Sequence, residues 1–200
     1  MTQDRILDAS VRELDDYGVT RYRVKRVAER AHVSVSLLYA YFADRESLVA
    51  ESVVARYRRT VLAAAEAFAE PLRHVATREE LRRVLWAMID QSQRPEHARA
   101  HHVRVESLAF AHHSPRAAAG IAAAQRAAGA LVVGAVQPLV DRGLTAPGVD
   151  AVSFSRIWYA LFFGQVSLEG DHPLATTPVA WSRSLAALVD VVVREPHAAR

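Results

Sequence analysis

Val35, Ser36, Leu37, Tyr39, Ala40 and Tyr41 make up a short stretch of methyl, hydroxyl and phenol side chains with no charge among them. Leu38 and Phe42, four apart in the same stretch, share one face of a helix and turn inward, which leaves the other six mostly outward. An uncharged outward face on a short helix suits contact with a partner better than contact with water. Immediately before it, Val24, Val27, Ala28 and Ala31 recur at helical spacing, so a preceding helix is apolar on one face. Ala28 is small where a second helix would cross, Val33 fills the turn, and Ser34 can cap the second helix through its hydroxyl. Residues 24–42 therefore have the layout of a helix-turn-helix shaped for a DNA groove.

Charge is concentrated around that stretch. Residues 20–45 hold Arg21, Arg23, Lys25, Arg26, Arg30 and Arg45 against only Glu29 and Asp44, while residues 60–200 carry 14 arginines and 13 acids, which nearly cancel. The formal net charge is +3 and the pI about 9.6, permissive of nucleic-acid binding without establishing it. Of the 25 basic residues, Lys25 is the single lysine, and this bias together with the abundant alanine fits a GC-rich genome better than a selected chemistry.

The elements that must position these residues are all helical. Asp4 to Tyr17 carries an apolar face of Ile6, Leu7, Ala9, Val11 and Leu14, and Gly18 is a natural stop. Asp44 can cap a helix from Arg45 to about Phe68, with Pro71 expected to end that region. Thr77 and Glu80 have capping-box spacing ahead of Leu81, Val84, Leu85, Met88 and Ile89, and Pro95 closes that helix. Glu96 to His113 is helical, and Ser114-Pro115 opens a long Ala-rich helix running to Gly143, with a kink or early end at Pro138. Residues 150–169 and 179–193 form two further apolar helices. With no strand alternation, the expected class is all-α with about nine helices: a three-helix N-terminal domain at 1–46 and a helical ligand-binding and dimerisation domain at 47–200.

Composition excludes several classes. A hydrophobic content of 51% over 200 residues can bury a substantial core. The absence of cysteine removes disulfides, thiolate catalysis and Cys-based zinc sites. No run of 18 apolar residues predicts a membrane span and no signal-peptide stretch opens the chain, so a cytoplasmic protein without membrane association is expected.

The first helix, the helix-turn-helix ending in Leu38-Tyr39-Ala40-Tyr41-Phe42, and the basic residue opening a long linking helix together resemble the tetracycline-repressor (TetR) family of bacterial transcriptional regulators, over roughly residues 5–50. The resemblance implies a homodimer that reads double-stranded operator DNA, a small-molecule pocket in the C-terminal domain, and dimerisation through the last two helices. Carried over by position, Ser34, Val35, Ser36, Leu37 and Ala40 belong to the DNA-contacting helix, with Val35, Ser36 and Leu37 against base edges. Tyr39 and Tyr41 would meet sugar-phosphate, and Arg45 a phosphate; Lys25 and Arg26 add phosphate contacts, which Arg21 and Arg23 could extend. The family usually has Gly in the turn where this chain has His32, and often a capping Thr where it has Arg23.

Base reading would then be apolar: Val35 and Leu37 can meet a thymine C5-methyl and Ser36 can bond several base edges, while no Arg, Asn or Gln is present in the helix for bidentate contacts. For the effector pocket, Trp86, Met88, Val103, Leu108, Phe110, Leu131, Trp158, Tyr159, Phe162 and Phe163 offer more aromatic and apolar surface than a minimal bundle needs. His102, Arg104, Glu106, Gln125 and Gln165 are candidate polar anchors. The favoured lining is Trp86, His102, Glu106, Phe110, Trp158 and Phe162, around a largely apolar effector.

Dimer stripes are expected at Ile157, Leu161, Gly164 and Leu168 and at Leu185, Leu188, Val189 and Val192. Five of the nine histidines, His97, His101, His102, His112 and His113, fall in one segment, but on more than one helical face, so surface histidines are favoured over a metal site, and no cofactor is expected. Ser153, Ser155, Asp171 and His172 have none of the spacings of a nucleophile elbow, phosphate loop or metalloprotease, so catalysis is not expected. A constitutive DNA binder without ligand is the rival, against which stand the roughly 150 residues beyond the DNA-binding part.

Overall fold

The computed structural model describes residues 2–92, 98–164 and 177–193. Among them the regular structure is helical throughout: α1 (Thr2–Tyr17), α2 (Val24–Arg30), α3 (Val35–Tyr41), α4 (Arg45–Arg73), α5 (Arg78–Ser92), α6 (Ala98–His112), α7 (Pro115–Asp141), α8 (Ala151–Gly164) and α9 (Pro178–Val192). The all-α class expected from the sequence is what the chain adopts. His97, Gln165, Leu168, Asp171 and His172 lie outside the described residues.

Helix ends follow local chemistry. The α1 terminus is closed by Gly18 at φ +66°, in the left-handed region that costs glycine nothing. Asp44 accepts the Ser47 amide at 2.6 Å; the amides that hydrogen-bond its carboxylate hold it below the usual aspartate range. The capping box at α5 forms in both directions: Thr77 Oγ1 accepts the Glu80 amide at 3.2 Å, and Glu80 Oε2 accepts the Thr77 amide at 3.1 Å. Thr177 caps α9 through the Ala180 amide, with Pro178 in the first turn.

Pro71 does not end α4 near Phe68, as its sequence position suggested. The helix runs on to Arg73, with Pro71 inside its last turn, where the missing N–H removes one hydrogen bond close to an end that leaves carbonyls unpaired in any case. Pro138 is likewise accommodated in the last turn of α7.

The chain divides into two compact units, residues 1–62 with 103–126, and 63–102 with 127–200. In the first, Ile6, Leu14, Val27, Leu38, Phe42, Leu48, Val53 and Tyr57 form the buried interior. Within it Ser10 hydrogen-bonds the Tyr22 hydroxyl and, at 2.5 Å, the Ser52 hydroxyl, and Ser52 donates to the Leu48 carbonyl. Burial pushes the Tyr22 phenol up to about 12. The first part of α7 packs closely on α4: a Cβ on Gly120 would lie 2.6 Å from Val54 Cγ1.

In the second unit Leu72, Leu81, Leu85, Ile89, Val136, Leu139, Phe154, Trp158, Leu185 and Val189 form the core, with Leu161 and Val192 packed against it. Leu185 and Val189 are therefore core residues, not the dimer stripe expected of them. The apolar side chains that α8 and α9 leave exposed are Val152, Ile157 and Tyr159 on one, and Val179, Leu188 and Val191 on the other. A one-residue drift in phase separates the two faces of an almost wholly apolar helix, so composition alone did not distinguish them. By length and composition α7 could cross a membrane, which is weak evidence, and Ile121, Val136 and Leu139 on it are buried inside the protein.

The Gly120–Val54 contact gives a direct test of the α4–α7 packing. Gly120→Ala is expected to cost about 1–3 kcal/mol of stability through overpacking, and Val54→Ala in the same chain is expected to recover most of it. Denaturant unfolding of the two single variants and the double variant measures the coupling.

Candidate nucleic-acid interface

The proposed reading helix stands out from its surroundings by exposure. In α3, Leu38 is fully buried and Phe42, just after the helix, nearly so. Val35, Ser36, Leu37, Tyr39, Ala40 and Tyr41 are all exposed. Two inward anchors four apart thus hold a seven-residue helix with its uncharged face outward. Its first turn is fixed by Ser34, whose Oγ accepts the Leu37 amide at 3.0 Å. Ser34 is thereby occupied as a cap, although it is exposed.

The turn before α3 closes as a Schellman motif. The Val33 amide donates to the Ala28 carbonyl at 3.0 Å and the His32 amide to the Glu29 carbonyl at 3.1 Å. Such a closure needs a left-handed residue, and His32 takes it at φ +52°. Histidine at the position where the resembled family has glycine therefore preserves the turn, at the steric cost a Cβ imposes there. Ala28 is buried at the crossing, as its size suggested.

The largest departure from the sequence analysis concerns Arg26. Its Nε donates to Glu13 Oε1 at 2.7 Å, its Nη2 reaches the same oxygen at 2.5 Å and the Arg21 carbonyl at 2.6 Å, and its guanidinium lies over the Tyr17 ring at 3.9 Å. The hydrogen bond to Glu13 raises the Arg26 pKa further. A guanidinium engaged on this many sides is a tie between α1 and α2. Glu13 is fully buried and also accepts the Arg23 amide at 3.2 Å, so it supports the start of α2, where Arg23 supplies no side-chain cap.

Of the other cations, Arg21, Arg23, Lys25 and Arg45 are exposed and Arg30 is half-buried. Lys25 and Arg45 are exposed at the starts of α2 and α4, and Arg45 also donates to the Tyr22 carbonyl at 3.5 Å. Arg30 pairs with Asp16 at 2.8 Å.

Sequence reasoning missed Glu13, although a signal was present. Positions 6, 9, 10, 13 and 14 form the inward stripe of α1, and a carboxylate on that stripe requires a cationic partner. It also missed Arg56, buried on α4, which pairs with Glu106 on α6 at 2.9 Å and approaches Asp15 on α1 at 3.9 Å.

The candidate pocket residues do not form one set. Trp158 and Phe162 do meet, with ring centroids 5.3 Å apart, in a group that includes Phe68 and Phe154. Trp86 is 41% exposed, and His102 is exposed. Glu106 turns to Arg56, and Phe110 is half-buried. Among the described residues no three His, Asp or Glu side chains converge as metal ligands.

Residues 6–52 match the sequence model of bacterial regulatory proteins of the tetR family. The match is confined to the helix-turn-helix region, and there the chain is similar to that family. Along nearly its whole length the chain is similar in fold to solved structures of TetR-family regulators. A regulator of Mesorhizobium loti assigned to the TetR family is 18% identical with a TM-score of 0.69, the match covering 94% of this chain and 93% of the other. One from a Rhodococcus species is 24% identical with a TM-score of 0.63, covering 96% and 98%. Bacillus subtilis FadR, solved in complex with stearoyl-CoA, is 18% identical with a TM-score of 0.58, covering 93% and 96%. No curated protein sequence matches the chain significantly. The fold is thus similar to that of solved TetR-family regulators, and α2 and α3 lie in the region that matches the family model.

The strained turn yields a prediction specific to this chain. His32→Gly is expected to leave stability unchanged or raise it by up to about 1 kcal/mol, because glycine enters the left-handed region without steric cost. His32→Val is expected to lower it. Thermal unfolding of both variants decides, and marked destabilisation by glycine contradicts the account of the turn.

Proposed function

We propose that the protein is a homodimeric transcriptional repressor that leaves its operator when a small effector binds. The observation that carries the DNA-binding half is the exposed, uncharged outer face of α3, held by a cap, a closed turn and two buried anchors. Val35, Ser36 and Leu37 lie against base edges with Ala40 on the same DNA-facing helix, Tyr39 and Tyr41 meet the sugar-phosphate, and Lys25 and Arg45 supply charge to phosphates. Arg26 contributes through the position of α2. Residues 1–46 form the DNA-binding domain and 47–200 the ligand-binding and dimerisation domain, and the protein works in the bacterial cytoplasm without catalysis.

Two-fold pairing is supported by the exposed apolar side chains of α8 and α9, in particular Ile157, Tyr159, Leu188 and Val191. A dimer places two copies of α3 about 34–36 Å apart, in successive major grooves. An effector is supported by the aromatic group around Trp158 and by the stearoyl-CoA held in the Bacillus subtilis FadR structure, a likeness of fold. The effector would favour a different spacing of the reading helices, with α4 carrying the change. A constitutive DNA binder is the alternative, which effector-independent operator binding would favour.

The experiment is operator binding by full-length protein across a salt series, on duplexes the protein itself selects from a random pool. Affinity is expected to fall steeply with salt, two protomers binding per duplex. Lys25→Ala is expected to weaken binding evenly across sequences with a shallower salt slope. Leu188→Glu is expected to give monomers that bind the duplex poorly. Salt-independent binding, or tight binding by one protomer, contradicts the proposal.

A further inference from the structure

Arg104 and Ser107, one helical turn apart on α6, are buried polar side chains with unmet hydrogen-bonding capacity. Arg104 is 9% exposed and Ser107 fully buried. Arg104 Nε and Ser107 Oγ each have no hydrogen-bond partner among the described residues. Spacing of i and i+3 sets the two side chains beside each other on one face. Glu13 Oε2 and Arg56 Nε are buried without a hydrogen-bond partner as well, but those groups have opposite charges beside them, Arg26 for Glu13 and Glu106 and Asp15 for Arg56. Glu106, the acid nearest to Arg104 in sequence, is turned to Arg56 at 2.9 Å and is not available. No ion pair joins Arg104 to an acid among the described residues.

A guanidinium withdrawn from water without a counter-charge is costly, and an anion at that position removes the cost. One positive charge with an adjacent hydroxyl donor matches a single carboxylate, with one negative charge and two accepting oxygens. A phosphate dianion would bring a second negative charge, which one guanidinium does not neutralise. Along the same helix, buried Val103 and half-buried Leu108 and Phe110 offer hydrocarbon to the remainder of such a molecule.

We propose that Arg104 and Ser107 form the head-group site for an organic monocarboxylate with an apolar body. This rests on the effector-responsive function proposed above and gives the chemical class of an effector taken at a site within the first unit, to which the aromatic group around Trp158 does not belong.

The test is thermal shift and calorimetric titration of the full-length protein with benzoate and octanoate, against benzyl alcohol, octanol and inorganic phosphate. A carboxylate is expected to stabilise the protein where its matched alcohol and phosphate do not. Arg104→Met is expected to melt about 2–4 °C higher than the parent without ligand, since the unanswered charge is gone. It is also expected to lose carboxylate binding at least about tenfold. Ser107→Ala provides a second, milder variant, with an unchanged ligand-free melting temperature and weaker carboxylate binding.

Alcohols or phosphate acting as well as carboxylates, no carboxylate acting at all, or an unchanged carboxylate response in Arg104→Met would each overturn the proposal. So would lower stability of ligand-free Arg104→Met, which marks Arg104 as a structural residue only. Operator binding measured on the same samples keeps the two proposals apart. Carboxylate binding through Arg104 without operator binding defeats the repressor, and operator binding without carboxylate binding defeats this site.

Discussion

The Glu13 carboxylate, fully buried on α1, accepts the Arg23 amide at the start of α2 and two nitrogens of the Arg26 side chain within it. A buried charge of this kind is tolerable only when paired, and here its partners all belong to the first helix of the DNA-facing pair. The orientation of α2 on α1 is set by that requirement. The position of α3 then follows, because the Schellman turn through His32 leaves little freedom between α2 and α3. What α3 presents outward is thus determined by a carboxylate it never touches.

This arrangement redistributes the charge that the sequence concentrates around residues 20–45. Arg26 and Arg30 are engaged with acids of α1, and Arg45 leans on Tyr22. Fewer free cations remain for phosphates than a count of basic residues suggests. In the function proposed above, recognition would rest more on the phenols, on the methyl groups of Val35 and Leu37, and on the spacing that a dimer would impose. In the same unit Arg56 joins α4 to α6 through Glu106 and lies near Asp15 of α1.

Local signals in the sequence predicted local structure well. Ser34, Asp44, Thr77 with Glu80, and Gly18 each end or start a helix as their chemistry dictates, because capping depends on residues within one turn. The inward Leu38 and Phe42 and the outward α3 face were legible for the same reason: one short helix has a single phase. The partner of a buried charge was not legible, since Arg26 could equally face a phosphate or an acid ten or more residues away. Nor was the phase of α8 and α9, where Leu185 and Leu188 differ only in which way a nearly all-apolar helix is turned. Pro71 shows the limit of a strong local signal, because its effect depends on how close it lies to the end of the helix. In the candidate effector site, sequence offered residue types without convergence, and Trp86 and Glu106 face elsewhere.

The measurement that bears most directly on this account is the affinity of the protein for the duplex it selects when each thymine in turn is replaced by uracil. That exchange removes the C5-methyl and leaves every base-edge hydrogen bond in place. If α3 reads DNA through Val35 and Leu37, binding weakens several-fold at one or two thymines per half-site, and Val35→Ala or Leu37→Ala removes that sensitivity. Uniform affinity across all thymine-to-uracil duplexes would contradict apolar reading by α3.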